Sequence, residues 1–271
     1  MKNLLLGLLC LMTLLNACTK TDDINVDDNK LGQVKIKFDH IVGAKKLQLN
    51  EGNYSNESGE TFNISLLKYF VSNIKFTKTN GDIITIPKED SYFLIDATDQ
   101  ASLQPILNIP EGDYKTLQFN VGVDSLANTI PIEQRKGVLD ASENGMYWEW
   151  NSGYIHLKIE GTSPQSPNAT KSFKYHIGFF GGYDTPTVNN NRTVKLDLSQ
   201  AGTSKVQENL SSDIHIMVDL GKIFDGSNTI SIKTNPVVMH SGPHSKIADN
   251  YATMFRHDHT HNFTKIASNE K

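Results

Sequence analysis

Beyond residue 18 the sequence contains no cysteine, the chain's two thiols being Cys10 and Cys18. A disulfide within the folded part and a thiolate metal site are thereby excluded, so a bound metal needs His, carboxylate, Met or a modified side chain as ligand. Runs of Lys and Arg are also missing. With 26 basic against 30 acidic side chains the formal charge is −4, one more negative if Lys2 is removed with a leader, and no phosphate-binding stripe is present. Nucleic acid is not an expected partner. Gly-x-Ser-x-Gly, His-Glu-x-x-His and Gly-x-x-x-x-Gly-Lys are all absent, and carboxylate pairs cannot be placed in space from a sequence, so the chain reads as a non-enzyme. Gly178 to Gly182 lacks the lysine and the strand-to-helix context of a phosphate loop and reads as a bulged turn.

Long apolar runs are confined to Leu4 to Leu15, which follows Met1-Lys2-Asn3. That run is shorter than the roughly 20 residues a lasting membrane span requires and has the layout of an export signal. It ends in Leu15-Asn16-Ala17-Cys18, which resembles a bacterial lipobox. The expectation is a signal peptide over residues 1–17, a lipid anchor at Cys18 and a flexible tether over 18–32, with several acyl chains because one binds only marginally. The tether's acidic start, Asp22-Asp23, resembles the signal that sends Bacteroidota lipoproteins to the outer leaflet. An outer-membrane lipoprotein of the cell envelope, periplasmic or surface-exposed, is therefore expected, with the membrane as partner through the anchor.

The rest of the chain is dominated by short alternating or β-branched runs broken by Gly, Asn, Asp and Pro. Strands are expected at Val34 to Phe38, Phe62 to Phe76, Ile83 to Ile86, Tyr92 to Ile95, Tyr114 to Val121, Gly153 to Glu160, Phe173 to Phe179, Thr193 to Leu198, Asp213 to Leu220 and Thr229 to Lys233. Asn80-Gly81-Asp82, Pro110-Glu111-Gly112-Asp113 and Asp225-Gly226-Ser227 carry turn chemistry. The fold class is all-β, an antiparallel β-sandwich over residues 33–235. A His-rich extension over 236–271 comes after it, in which Ile247, Ala248, Tyr251, Met254 and Phe255 recur at helical spacing. One short amphipathic helix capped by Ser245 is predicted there.

The most unusual segment is Gly145-Met146-Tyr147-Trp148-Glu149-Trp150-Asn151-Ser152-Gly153-Tyr154, which holds both tryptophans of the protein. In an extended strand Met146, Trp148 and Trp150 share a face, either as core filling or as a thioether and indole cluster beside a soft metal.

Several segments together resemble the MbnP-like family of copper-binding lipoproteins. These are Phe38-Asp39-His40, Leu67 to Ile74, Gly112-Asp113-Tyr114, Phe119 to Asp124, Met146 to Tyr154 with Glu160-Gly161, and Tyr175-His176-Ile177-Gly178, spanning residues 34 to about 233. The resemblance implies a β-domain at the envelope that holds copper with imidazoles and a kynurenine, made from a tryptophan by a dihaem peroxidase-like partner. Copper-binding relatives carry a His two residues after the modified Trp; here Trp150 follows Trp148 at that interval and Ser152 follows Trp150. The alternative is a structural or interaction module without metal.

Of the nine histidines, His40 and His176 sit inside the resembling segments and are candidate ligands. His176 lies on the strand face opposite Phe173, Tyr175 and Ile177. His156 faces away from Ile155 and Leu157, and His215 shares a face with Met217, a pair suited to cuprous ion. His240, His244, His257, His259 and His261 crowd the C-terminal segment. In an extended strand 257, 259 and 261 project to one side, and if the segment docks beside His40 or His176 a composite site results. The metal candidates are thus His40, His176, Trp148, Trp150, Met146, His215, His259 and His261, with copper as the expected ion.

Overall fold

The computed structural model describes residues 30–266 apart from residue 143; the signal peptide expected over 1–17, Cys18 and most of the expected tether lie outside the described residues. Strands of five or more residues are β1 (Leu31–Val42), β2 (Thr61–Lys78), β3 (Tyr92–Asp96), β4 (Ile106–Pro110), β5 (Gly112–Val121), β6 (Leu157–Thr162), β7 (Ser172–Ile177), β8 (Arg192–Asp197), β9 (Leu210–Asp219) and β10 (Phe255–Lys265). Helices are α1 (Ser125–Thr129), α2 (Lys222–Asp225) and α3 (His244–Tyr251). A five-stranded sheet runs β10, β9, β1, Lys45–Lys46, with β4 also on β1. A ten-stranded sheet runs β8, β5, β2, β6, β7, Val237–Val238, with β3 and shorter strands on β2 and β5. The two curl against each other as the all-β sandwich expected from the alternating sequence.

Alternation sets the core. In β1 every second residue from Gly32 to Val42 is buried, which places Val34, Ile36, Phe38 and His40 inward and Lys35, Lys37 and Asp39 outward. Rings of β1 and β10 meet rings of the larger sheet edge to face: Phe38 lies 6.1 Å from Tyr69 and 6.0 Å from Phe119, and Phe255 lies 5.1 Å from Phe119. This geometry suits the aromatic quadrupole and joins the sheets at their centre.

The sandwich is mainly antiparallel, with two parallel pairs. β1 runs parallel to β9, from Gln33 opposite Ser211 to Ile41 opposite Asp219, because the chain builds most of the larger sheet before returning beside β1, a crossover that antiparallel hairpins do not need. β7 and Val237–Val238 also pair in parallel. β2 bends at Asn73, which adopts φ 54°, and its register against β5 shifts between Ser72 and Lys75. One long strand thereby serves β6 with its first half and β5 with its second.

Three local expectations change. Thr229 to Lys233 is not a strand: the Ile232 and Lys233 amides donate to the buried carboxylate of Glu60, at 2.7 and 2.8 Å, instead of to a neighbouring strand. Helix α3 exists, but Ser245 does not cap it. Pro243 precedes the first turn, and the Ser245 hydroxyl donates instead to Asn190 Oδ1 at 3.0 Å. Met254 and Phe255 lie beyond the helix, and from Phe255 the chain becomes β10, an eleven-residue strand paired along β9. The histidine-rich segment is thus part of a sheet.

Candidate functional site

Of the sequence-nominated residues, Met146, Trp148 and Trp150 do not line one strand face. Only Tyr147 and Trp148 are extended, pairing with Tyr154 and Gly153 in a tight hairpin, whose reversal is closed by the Gly153 amide donating to Trp150 O at 3.1 Å. Gly153 makes that turn possible: it sits at φ +65°, and a Cβ there would lie 2.0 Å from Asn128 Oδ1, the oxygen that accepts from the Tyr154 amide. The turn sends Met146 into a small core with Phe70, Val123, Tyr154 and Ile155. Its thioether is therefore core packing, in a cluster against which Trp148 also packs.

The two indoles stack at 5.3 Å between centroids and 26° between planes. Trp148 lies over Gly178, where a Cβ would approach its ring to 2.7 Å, so the glycine is what lets the indole settle on the backbone. Trp150 is 44% exposed. Phe179 packs against both indoles. His240 meets Trp150 edge to face at 5.9 Å, and His244, at the start of α3, lies 5.0 Å from Phe179. Burial lowers the His244 pKa, favouring the neutral imidazole that ligates metal. His240 and His244 were visible only as part of the C-terminal histidine enrichment; no local pattern pairs them with the tryptophans, because the contact depends on α3 folding back across β7.

His40 and His176 are not brought together. His40 points inward, its Nε2 3.0 Å from the Tyr69 hydroxyl; burial drives its pKa down to about 4, against the opposing field of Asp39. His176 faces outward on the larger sheet, with Nε2 2.7 Å from Glu160 Oε1, and burial lowers its pKa despite that carboxylate. A composite site of either with the C-terminal segment does not form, because β10 docks on β9.

That docking assembles a second cluster. His215 in β9 stands opposite His259 in β10, their rings stacked at 4.2 Å, and His261 lies 4.7 Å from His259 and 5.2 Å from His215. Met217 shares the outward face of β9. The expectation that 257, 259 and 261 share a side fails at a β-bulge. Ile216 pairs with His257 and His215 with His259, so Asp258 is the extra residue and His257 faces the other way. Its Nε2 lies 2.9 Å from Thr260 Oγ1.

His156 is fully buried between β6 and the Trp hairpin, with neither ring nitrogen in a well-formed hydrogen bond. Burial brings its pKa to about 4, the Asn190 backbone opposing and Arg192 reinforcing. A folded pKa below the unfolded value of 6.5 means that acid favours the unfolded chain. Stability is intact above about pH 6.5 and falls by about 1.4 kcal/mol per pH unit down to about 4, some 3 kcal/mol in all. His40 adds a similar slope. His156→Leu is expected to make the slope between pH 6.5 and 4 in urea melts clearly shallower; an unchanged slope would assign the acid sensitivity to the other histidines with lowered pKa.

A curled β-sandwich carrying an aromatic hairpin flanked by His240 and, across Phe179, by His244 is the class of protein these features define. A family profile described as MbnP matches residues 31–241, and the chain belongs to the MbnP family. Among solved structures, MbnP from Methylosinus trichosporium is similar in fold, with a TM-score of 0.54 at 18% identity over 79% of this chain and 82% of that chain. No curated protein matches the chain.

Proposed function

We propose that this protein is a copper-handling lipoprotein of the bacterial envelope, held by an acylated Cys18, in which the Trp148–Trp150 stack is the substrate of a dihaem peroxidase-like partner. The observation that carries the reading is the convergence, at one hairpin, of both tryptophans with His240 and His244. The donor set fits the ion: imidazoles are common copper ligands, and the described residues offer no thiolate to compete. His240, His244 and an oxidised Trp150 would hold copper, which when bound supplies one-electron chemistry. The chain's own contribution is presentation. The tight turn holds Trp150 at the surface within reach of a partner, Gly178 seats Trp148 beneath it, and Phe179 excludes water from one side. The protein acts as carrier and substrate rather than as an enzyme.

The test is metal content and intact mass of protein purified from its native envelope, in a His259→Ala/His261→Ala background so that copper elsewhere is not counted. Stoichiometric copper and an altered mass on the peptide holding residues 148 and 150 are expected. Copper should be lost in His240→Ala/His244→Ala, and the mass change in Trp148→Phe/Trp150→Phe. Copper-free, unmodified protein would sink the proposal and leave an interaction module without metal.

A further inference from the structure

The outward face of β9 and β10 carries three imidazoles that the aromatic hairpin does not use. One ring nitrogen from each of His215, His259 and His261 lies within 4.8 Å of the others. His259 and His261 fall beyond residues 31–241, the part of the chain matched to the family, so this cluster is specific to the C-terminal strand. We propose that His215, His259 and His261 form a second metal site, taking a borderline divalent transition cation such as Zn(II) or Cu(II).

The outer hydrogen bonds argue for a ligand set over a merely polar tail. His215 Nδ1 lies 3.2 Å from Asp39 Oδ2, and His259 Nδ1 lies 2.8 Å from Asp258 Oδ2. Each carboxylate orients its ring, fixes the proton on Nδ1 and leaves the Nε2 lone pair directed away from it, the arrangement found behind metal-bound histidines. His259 Nε2 and His261 Nε2 face each other at 3.1 Å. With Nδ1 of His259 donating to Asp258, the proton in that contact sits on His261 Nε2, and a cation seated there takes both lone pairs as the proton moves to His261 Nδ1 or to water. Bond lengths of about 2.0–2.1 Å place ligating nitrogens about 3–4 Å apart, so closing the set requires the exposed His261 to rotate and the stacked His215 and His259 rings to tilt toward a common point.

The scaffold is fixed by main-chain pairing. β1 presents Asp39, β9 presents His215 and β10 presents His259 and His261, three adjacent strands of one sheet. The bulge at Asp258 does two things: it turns His259 and His261 outward, and it places a carboxylate beside His259. Lys37 is already paired with Asp39 at 3.2 Å, so it does not occupy the centre of the cluster. An all-nitrogen set excludes Mg(II) and Ca(II), which take oxygen ligands, and favours Cu(II) over Zn(II) in affinity. The protein supplies three ligands, and the fourth position faces solvent. Such a site exchanges its ion readily and captures metal from the medium.

The experiment is competition titration of the metal-stripped mature chain with Zn(II) and Cu(II), with thermal melts in parallel. Wild type and the Trp148→Phe/Trp150→Phe variant are expected to bind one equivalent at the strand site alike, because the hairpin takes no part. Metal should raise the melting temperature by clamping β9 to β10. His259→Ala/His261→Ala should lose more than the about 10- to 100-fold that removal of an outer partner costs, and Asp258→Asn should lose an amount in that range. Should the double variant unfold, His261→Gln, at an exposed position, gives the same reading with the sheet intact. Wild-type affinity in His261→Gln and in the double variant, or no binding in the wild type, would overturn the site. Loss of binding in the tryptophan variant alone would assign the metal to the hairpin instead.

Discussion

Phe119→Ala is expected to destabilise the fold by about 3–5 kcal/mol, the cost of emptying a large aromatic site in a packed core. The ring is wholly buried and lies edge-on to Phe38 and Phe255, so its loss takes one ring of the larger sheet away from two strands at once and leaves Tyr69 to meet both. Phe255 opens β10, and a looser Phe255 frees the start of the strand that carries His259 and His261. Urea melts give the global figure. Hydrogen exchange at residues 255–261 is expected to rise more than at β5 itself, and a variant with wild-type stability would show that the sheets are joined elsewhere.

Glu60→Ala comes next, at about 3 kcal/mol. The carboxylate is only 4% exposed and accepts from Asn56 Nδ2 at 2.7 Å, Ser231 Oγ at 2.8 Å, and the Ile232 and Lys233 amides. Alanine would leave those donors buried and unpaired. Burial acts to raise the Glu60 pKa, but the four donors together hold it below its ordinary 4.5. Its contribution is therefore complete above about pH 4.5 and is lost as the pH falls through the lower folded value, a window beneath that of His156. Glu60→Gln keeps the shape and should abolish that low-pH limb. If both variants match wild type, the turn at 231–233 is held by other contacts.

How much the sequence disclosed depends on the range of the interactions. Alternation and turn residues made β1, β2, β5, β7 and β9 legible, because side-chain direction depends only on neighbours in the chain. The strand expected at Thr229 to Lys233 failed because its amides answer to Glu60, far away in sequence. β10 was hidden because its histidines and Asn262 lack the apolar alternation of a half-buried strand: its outward face is polar, and beyond Phe255 its other face is largely so. For the candidate site, the unusual Trp segment stood out, and the histidine enrichment did too. Their partners did not. Which imidazole meets which indole or which strand depends on how α3 and β10 return to the sandwich, and neither contact leaves a local pattern.

The bulge at Asp258 makes the C-terminal histidines sensitive to chain length more than to composition. Side chains alternate along a strand, so every added residue inverts those beyond it. An in-frame insertion of one codon after Asp258 would aim His259 and His261 at the core and erase the cluster with every histidine still present. Deleting Asp258 would leave His259 opposite His215 but strip away its carboxylate. Among relatives, then, capture of metal by this strand should be gained or lost through single-codon indels, and counting histidines would not reveal which members possess it.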